Sequence, residues 1–236
     1  MESKSGTKLL RVVRLGTLEY ERALELMERL VAARLCEAVP DTLLLLEHLP
    51  VYTLGRGASE RHVLALPPQV PLYRVSRGGQ VTFHGPGQLV GYPILGLEGA
   101  ERDVLRYLRK LEQAIIAAMA EAGIATAQRA GFTGAWCGQR KLASIGVGIR
   151  KWTTFHGFAL NVRTDLTFFD AIVPCGLEGV RMTSVAEQGR PDLSVNETAT
   201  LVRDAFCRIF GFETVDDQQA ADNPVDLATV GLQARN

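Results

Sequence analysis

Four cysteines in 236 residues, none in a C-x-x-C pair, are too few and too scattered for a disulfide framework. Cys36, Cys137, Cys175 and Cys207 are read instead as thiols of a reducing cytosol. No apolar run approaches the ~18 residues that a membrane span needs. The leucine run, Leu43 to Leu46, is only four residues. The start, Met1-Glu2-Ser3-Lys4, leads into no continuous apolar stretch, which argues against a secretory signal. Net charge is absent too, with 26 basic residues against 26 acidic. There is no Lys/Arg run, so the basic signature of a nucleic-acid-binding domain is missing. Neither G-x-G-x-x-G opening a helix nor G-x-x-x-x-G-K-S/T occurs, which removes the phosphate-loop readings.

What is present is a globular composition, 47% apolar and 22% charged, in a length that suits one domain with a sizeable core. The charge is unevenly placed. Residues 61–97 hold no Asp or Glu but include Arg61, Arg74 and Arg77. Residues 122–164 again hold none, against Arg129, Arg140, Lys141, Arg150, Lys151 and Arg163. This pattern is either chance or a basic face for an acidic partner. Beyond Gly211 the balance turns acidic.

Helical spacing of Leu24, Met27, Leu30 and Leu35 predicts a helix from Leu18 to about Ala38, capped by Thr17. Leu43 to Leu46 reads as a buried strand. Gln80 to His84 and Leu89 to Ile94 read as strands around the turn Gly85-Pro86-Gly87. A second helix is expected from about Glu101 to Ala122, with the stripe Val104, Leu108, Leu111, Ile115 and Ala118. Phe132 to Cys137, Lys141 to Ile149 and Thr153 to Val162 follow as three strands, the first two joined at Gly138-Gln139-Arg140. Asp165 to Gly189 is irregular, and Ser194-Val195-Asn196-Glu197 is a capping box for a third helix reaching Phe210. Helices and adjacent hairpins mix without strict βαβ alternation. The expectation is α+β, a single domain with a mixed or mostly antiparallel sheet and flanking helices. Its expected boundaries are an N-terminal extension at residues 1–16, a catalytic unit at 17–216 and a loose acidic tail at 217–236.

Three segments could carry chemistry. Arg77-Gly78-Gly79-Gln80-Val81-Thr82-Phe83-His84-Gly85-Pro86-Gly87-Gln88 sets polar side chains on backbone free of bulk, which lets a ligand approach main-chain N–H groups. Lys141-Leu142-Ala143-Ser144-Ile145-Gly146 is followed by His156-Gly157-Phe158-Ala159-Leu160-Asn161; a strand-edge lysine is commonly a solvated cap, and His156 by default a core histidine. In Val173-Pro174-Cys175-Gly176 the thiol sits between Pro and Gly in a loop, where core burial is least expected. Lowering a thiol pKa by two units needs only ~2.7 kcal/mol, within reach of one nearby ammonium. A zinc site from Cys137, Cys175, His84 and His156 matches no known ligand spacing.

These motifs, R-G-G-Q-V-T-F-H-G-P-G-Q, K-L-A-S-I-G, H-G-F-A-L-N-V and I-V-P-C-G in that order, resemble the lipoyl(octanoyl) transferases. The resemblance spans Arg77 to Gly176, and the stretch from Leu43 to Arg56 also looks like that family. It implies a fold shared with biotin and lipoate protein ligases. It also implies transfer of an octanoyl or lipoyl group from acyl carrier protein to a lysine of lipoyl domains, in 2-oxoacid dehydrogenase complexes and the glycine cleavage H protein. No ATP, metal or other cofactor is implied, and the location is cytoplasmic, with neither nucleic acid nor membrane as partner. Cys175 would be the nucleophile and Lys141 its partner. Arg77, Gly78, Gly79, Gln80, Val81, Thr82, Phe83 and His84, with Ser144, Ile145, Gly146, Gly157, Phe158 and Ala159, would line the acyl site. Phe83 departs from the family, which often carries Tyr there, so any hydrogen bond from that hydroxyl is lost. Three readings compete: an ATP-dependent ligase of the same fold, a cysteine hydrolase pairing Cys175 with His84 or His156, and a non-catalytic acyl-binding module.

Overall fold

In a computed structural model describing residues 8–177 and 179–219, the chain runs β1 (Leu9–Leu18), α1 (Tyr20–Leu35), β2 (Asp41–His48), β3 (Val51–Leu54), β4 (Leu72–Arg74), β5 (Val81–His84), β6 (Gln88–Ile94) and α2 (Val104–Glu121). It continues through β7 (Ala127–Arg129), β8 (Phe132–Cys137), β9 (Arg140–Arg150), β10 (Thr153–Asn161), β11 (Arg181–Met182), α3 (Val195–Phe210) and β12 (Thr214–Gln219). The large sheet has the order β12-β1-β2-β6-β10-β9-β8-β7, with β11 added beside β9; β4-β3-β5 forms a small second sheet. Parallel pairs join β1 to β2 and β12, while β2-β6-β10-β9-β8 is antiparallel throughout. The α+β expectation with a mixed sheet holds.

The Leu43–Leu46 run is apolar without alternation because both faces of β2 are covered. Leu43 and Leu45 join the core under α2 and α3, where Leu111, Ile115, Val202 and Phe206 are buried. Leu44 and Leu46 face α1 with Leu26, Met27 and Leu30. Full burial of each such side chain is worth about 1.5–3 kcal/mol. The small sheet has its own core of Tyr52, Leu54, Val81, Phe83 and Phe169. Stacked beside the large sheet, it leaves a slot between the two.

The expected boundary at residue 16 falls inside β1. Residues 9–16 belong to the sheet, and Thr17 pairs with Glu47 instead of capping a helix. α1 starts at Tyr20, with Glu19 at its cap. The alternation that would have marked β1 is broken by Gly16, at φ +62° where the register shifts. The acidic tail likewise contributes β12, running parallel to β1 and tied to it by an Arg14–Asp217 ion pair at 3.0 Å. Residues 220–236 of the expected tail lie outside the described residues. The Ser194–Glu197 capping box forms as expected, and Gly211 closes α3 in the left-handed conformation (φ +74°). Asp103, not Glu101, caps α2, its carboxylate accepting from the Arg106 N–H.

Candidate active site

Cys175 sits in a single 3-10 turn, Pro174–Gly176, with its own backbone left-handed at φ +57° and ψ 15°. For a residue with a Cβ that conformation costs roughly 1–2 kcal/mol, so the surroundings must hold it. Gly176 N–H donates to Val173 O at 2.9 Å, Leu177 N–H to Pro174 O at 3.1 Å, and Val173 N–H to His62 O at 2.8 Å. Gly176 is itself at φ +67°, and a Cβ there would lie 2.8 Å from the His62 ring. His62 is wedged by hydrogen bonding to Gln80 Oε1 (3.1 Å), whose Nε2 donates to Gly57 O at 2.7 Å. Neither His62 nor that role was apparent from sequence, because no motif spacing joins residue 62 to residue 176.

The turn delivers the thiol to β9. Lys141 Nζ lies 3.0 Å from Cys175 Sγ, and Ser144 Oγ lies 3.7 Å from it. Lys141 is 3% exposed, so the strand-edge lysine is not a solvated cap. Burial pushes the Cys175 thiol up. The Lys141 charge, hydrogen bonds from Lys141 and Ser144, and the nearby Arg77 charge together outweigh it and hold the thiol below its ordinary value. Burial instead raises the thiols of Cys137 and Cys207. Three of the four cysteines are thus set apart from the one in the Pro–Gly turn; Cys36 is exposed at the end of α1.

The slot holds a cavity of about 430 Å³. Arg77 through Thr82 and His84 line it from the small-sheet side, and Ser144 to Gly146 and Gly157 to Ala159 from β9 and β10. Cys175 and Lys141 open onto it. Thirteen of the fourteen expected lining residues therefore meet there. Phe83 does not. Its ring stacks on Phe168 at 4.5 Å and packs against Tyr52 and Phe169. Alternation along β5 sends Thr82 and His84 to the slot and Phe83 into the small sheet's core, so position 83 is a packing position.

Other cavity residues were missed. Tyr20, Tyr92 and His156 form one wall, and Val104, Leu108, Phe132 and Leu177 another. Val104 and Leu108 belong to the predicted apolar stripe of α2, but their end of the stripe lines the cavity, with Leu108 also touching the core. The charge-rich helix context gave no sign of that.

The histidines serve structure. His84 Nδ1 donates to Gln88 Oε1 at 2.8 Å, and Gln88 Nε2 donates to Asn161 Oδ1 at 2.9 Å and Phe83 O at 3.1 Å. Burial holds His84 well below its ordinary pKa and lowers His156 to about 3 and His48 to about 4. Cys175 is hydrogen-bonded to Lys141 and Ser144 and, among the described residues, to no histidine, so the hydrolase dyad is not assembled. Nor do the described residues contain a group of three or more His, Cys, Asp or Glu placed to hold a metal ion.

The glycines of the floor are sterically required. A Cβ on Gly157 would lie 2.2 Å from Gly91 O, and one on Gly146 would lie 2.9 Å from Gly78 O. Backbone in a paired strand cannot give way, so Gly157→Ala is expected to cost about 1–3 kcal/mol. A denaturant midpoint equal to wild type would refute this reading of the floor.

A central mixed sheet, a small second sheet above it and a slot between them make up the fold of the lipoate protein ligases. A structure from an archaeal lipoylation system, comprising a bipartite lipoate protein ligase and its E2 lipoyl domain from Thermoplasma acidophilum, superposes with a TM-score of 0.69 at 15% identity, covering 96% of this chain and 98% of that one. The sequence comparison is more specific. The lipoyl protein ligase A/B catalytic domain model matches residues 19–207. An octanoyltransferase of Gloeobacter violaceus is 49% identical over 199 residues, 84% of this chain and 89% of that protein. One from Geobacter metallireducens is 52% identical over 178 residues, 75% and 83% of the two chains. The chain belongs to the lipoyl protein ligase A/B catalytic family and, within it, to the octanoyltransferases, which are acyltransferases.

Proposed function

We propose that the octanoyl group arrives as a thioester on acyl carrier protein, passes to Cys175, and leaves as an amide on a lysine of a lipoyl domain. The observation that carries this is the 3.0 Å contact between Lys141 Nζ and Cys175 Sγ on the cavity wall. The Cys175 thiolate attacks the carrier's thioester carbonyl. The tetrahedral intermediate collapses, the carbon–sulfur bond to the carrier breaks, and the Lys141 ammonium gives its proton to the departing thiolate. Lys141 is now neutral. The acceptor lysine's amine attacks the Cys175 thioester and loses a proton to Lys141. The enzyme thiolate then leaves, restoring the ion pair. Thioester to amide runs downhill, so the cycle needs no ATP and no metal. A ligase that activates its acid as an adenylate would have no use for a thiol beside Lys141, and a mere acyl-binding module would have no use for the pair.

The acceptors in this proposal are the lipoyl domains of 2-oxoacid dehydrogenase complexes and the glycine cleavage H protein. The setting is the cytoplasm, where a free thiolate persists. Among the described residues no helix is long and apolar enough to cross a membrane. Intact mass measurement after mixing the protein with octanoyl-acyl carrier protein tests the intermediate. One added octanoyl group, located on Cys175 and discharged by a lipoyl domain, is the expected result. Turnover with no adduct at any time point would overturn the two-step route.

Exposed arginines lie near this site: Arg56, ahead of the first acid-free segment, on the cavity wall; Arg140, within the second, next to Lys141; and Arg181, beyond it, paired with Arg140 between β11 and β9. An acidic carrier docking there feels charges screened over about 8 Å at physiological ionic strength. The KM for carrier protein is therefore expected to rise with added salt while kcat stays level. A KM flat from low to high salt would refute a basic docking face.

A further inference from the structure

Lys141 reaches the thiol through a narrow passage, and the reaction just proposed does not use the groups that make it. The β8–β9 pairing slips between Ala135 and Trp136, and Gly134 lies just before the slip with φ +130°. A Cβ on Gly134 would lie 2.4 Å from Ala143 O, 2.8 Å from Lys141 Cε and 3.5 Å from Nζ. The bare Cα of Gly134 thus lets both the β9 backbone at Ala143 and the lysine arm lie close against β8. Across the arm stands the Trp136 ring, its centroid 5.4 Å from Nζ. The Gly134 N–H points the other way, into the core, and donates to Glu112 Oε1 at 2.9 Å. Glu112 is on α2 and has no exposed surface. Its second oxygen accepts from Arg109 Nη1 at 2.6 Å.

A carboxylate buried at 0% exposure on the apolar face of a helix is costly unless it does something a leucine could not. Here it satisfies the Gly134 amide beside the slip, and so fixes the strand segment against which the lysine lies. Resting on the acyl-transfer reading above, we infer that Glu112 and Gly134 are positioning residues, which act through the backbone of β8 to hold the Lys141 ammonium at the Cys175 thiolate. An ammonium has three freely rotating donors and a flexible stem. Without a fixed wall it would sample positions away from the sulfur, losing both the thiolate and the proton relay.

The test reads the pH dependence of Cys175 alkylation by iodoacetamide together with kcat and KM. The charged or titratable groups around this pair are Arg77 and His62 beside the thiol, Glu112 with Arg109 from α2, and Arg129 over Trp136. Gly134→Ala pushes a methyl into the Ala143 carbonyl of β9 and into the lysine arm beside it. Its alkylation midpoint is expected to move up towards the free thiol, and kcat to fall about 10²-fold, as misplacing a catalytic group by an ångström does. KM for the carrier should not change. Glu112→Gln keeps the side-chain volume, but its single oxygen cannot serve both Gly134 and Arg109; the same upward shift is expected, smaller in size. A folded Gly134→Ala protein with wild-type midpoint and kcat would overturn the inference. Where that variant does not fold, Glu112→Gln decides alone, and a wild-type alkylation curve for it is the overturning result. Failure of the acyl-transfer reading itself would look different: the wild-type protein would form no Cys175 adduct, whatever these variants do to the thiol.

Discussion

Cys175→Ser is expected to lower octanoyl transfer by at least about 10⁴-fold, as loss of a nucleophile does in other covalent enzymes. A hydroxyl fits the same space and tolerates the same left-handed turn, so the protein should fold with wild-type stability. What is lost is ionisation. One ammonium at 3.0 Å can hold a thiol as thiolate, because a thiol starts near pKa 8.5 and needs only a modest shift. A serine hydroxyl starts far higher, and Lys141 has no unprotonated nitrogen to act as its base. The octanoyl adduct should vanish with the activity. Cys36→Ser, at an exposed helix end, and Cys207→Ser, on α3 away from the cavity, should retain both. A Cys175→Ser protein that turns over at the wild-type rate would eliminate the thiol as nucleophile.

Lys141→Ala should be nearly as damaging, and its effect on the thiol has a definite sign. Burial is the largest influence on Cys175 and acts upward; the lysine's charge and hydrogen bond are the main forces acting downward. With the lysine gone, Ser144 and Arg77 remain to oppose burial. Cys175 should then titrate higher than in the wild type, where the thiol is held below its ordinary value. The iodoacetamide curve should move to higher pH, with reactivity at neutral pH reduced accordingly. Lys141→Arg separates the two duties. A guanidinium keeps its charge but does not release its proton in a protein, so part of the thiolate should survive and amide formation should still fail. Alkylation midpoints unchanged in both variants would place the activating cation elsewhere, with Arg77 the next candidate.

The chemistry of this site was written in short contiguous motifs. Each puts its functional side chain beside a glycine or proline that fixes local backbone: Cys175 between Pro174 and Gly176, Lys141 ahead of Gly146, Arg77 ahead of Gly78 and Gly79. Local backbone demands leave a local trace. Demands made across the fold do not. Tyr20 and Tyr92 wall the cavity from the start of α1 and the middle of β6, and an aromatic at such a position looks like any core residue. Glu112 lies in a helix whose polar residues mostly face solvent, and only the slip in β8 makes it different. Phe83 was misplaced because the resemblance carried over a whole contiguous stretch, whereas alternation along β5 turns Phe83 away from the face that Thr82 and His84 share. β1 and β12 were missed for a related reason. Arg11, Arg14 and Gly16 interrupt one, and the other is polar, so neither shows a strand pattern until the backbone of each is seen pairing with the other.

That pairing has a consequence for how the protein is made. β1 emerges from the ribosome well ahead of β12, its neighbour on the outer side, which follows more than 190 residues later. For most of synthesis, therefore, the growing chain carries β1 as an open edge, with Leu10, Val12, Val13 and Leu15 along it. An unpaired strand of that composition is a template for association with another nascent chain. The acidic segment that completes the edge acts in folding as a stopper. A chain ending before Thr214 would keep its whole cavity, thiol and lysine, yet would be expected to accumulate as aggregate.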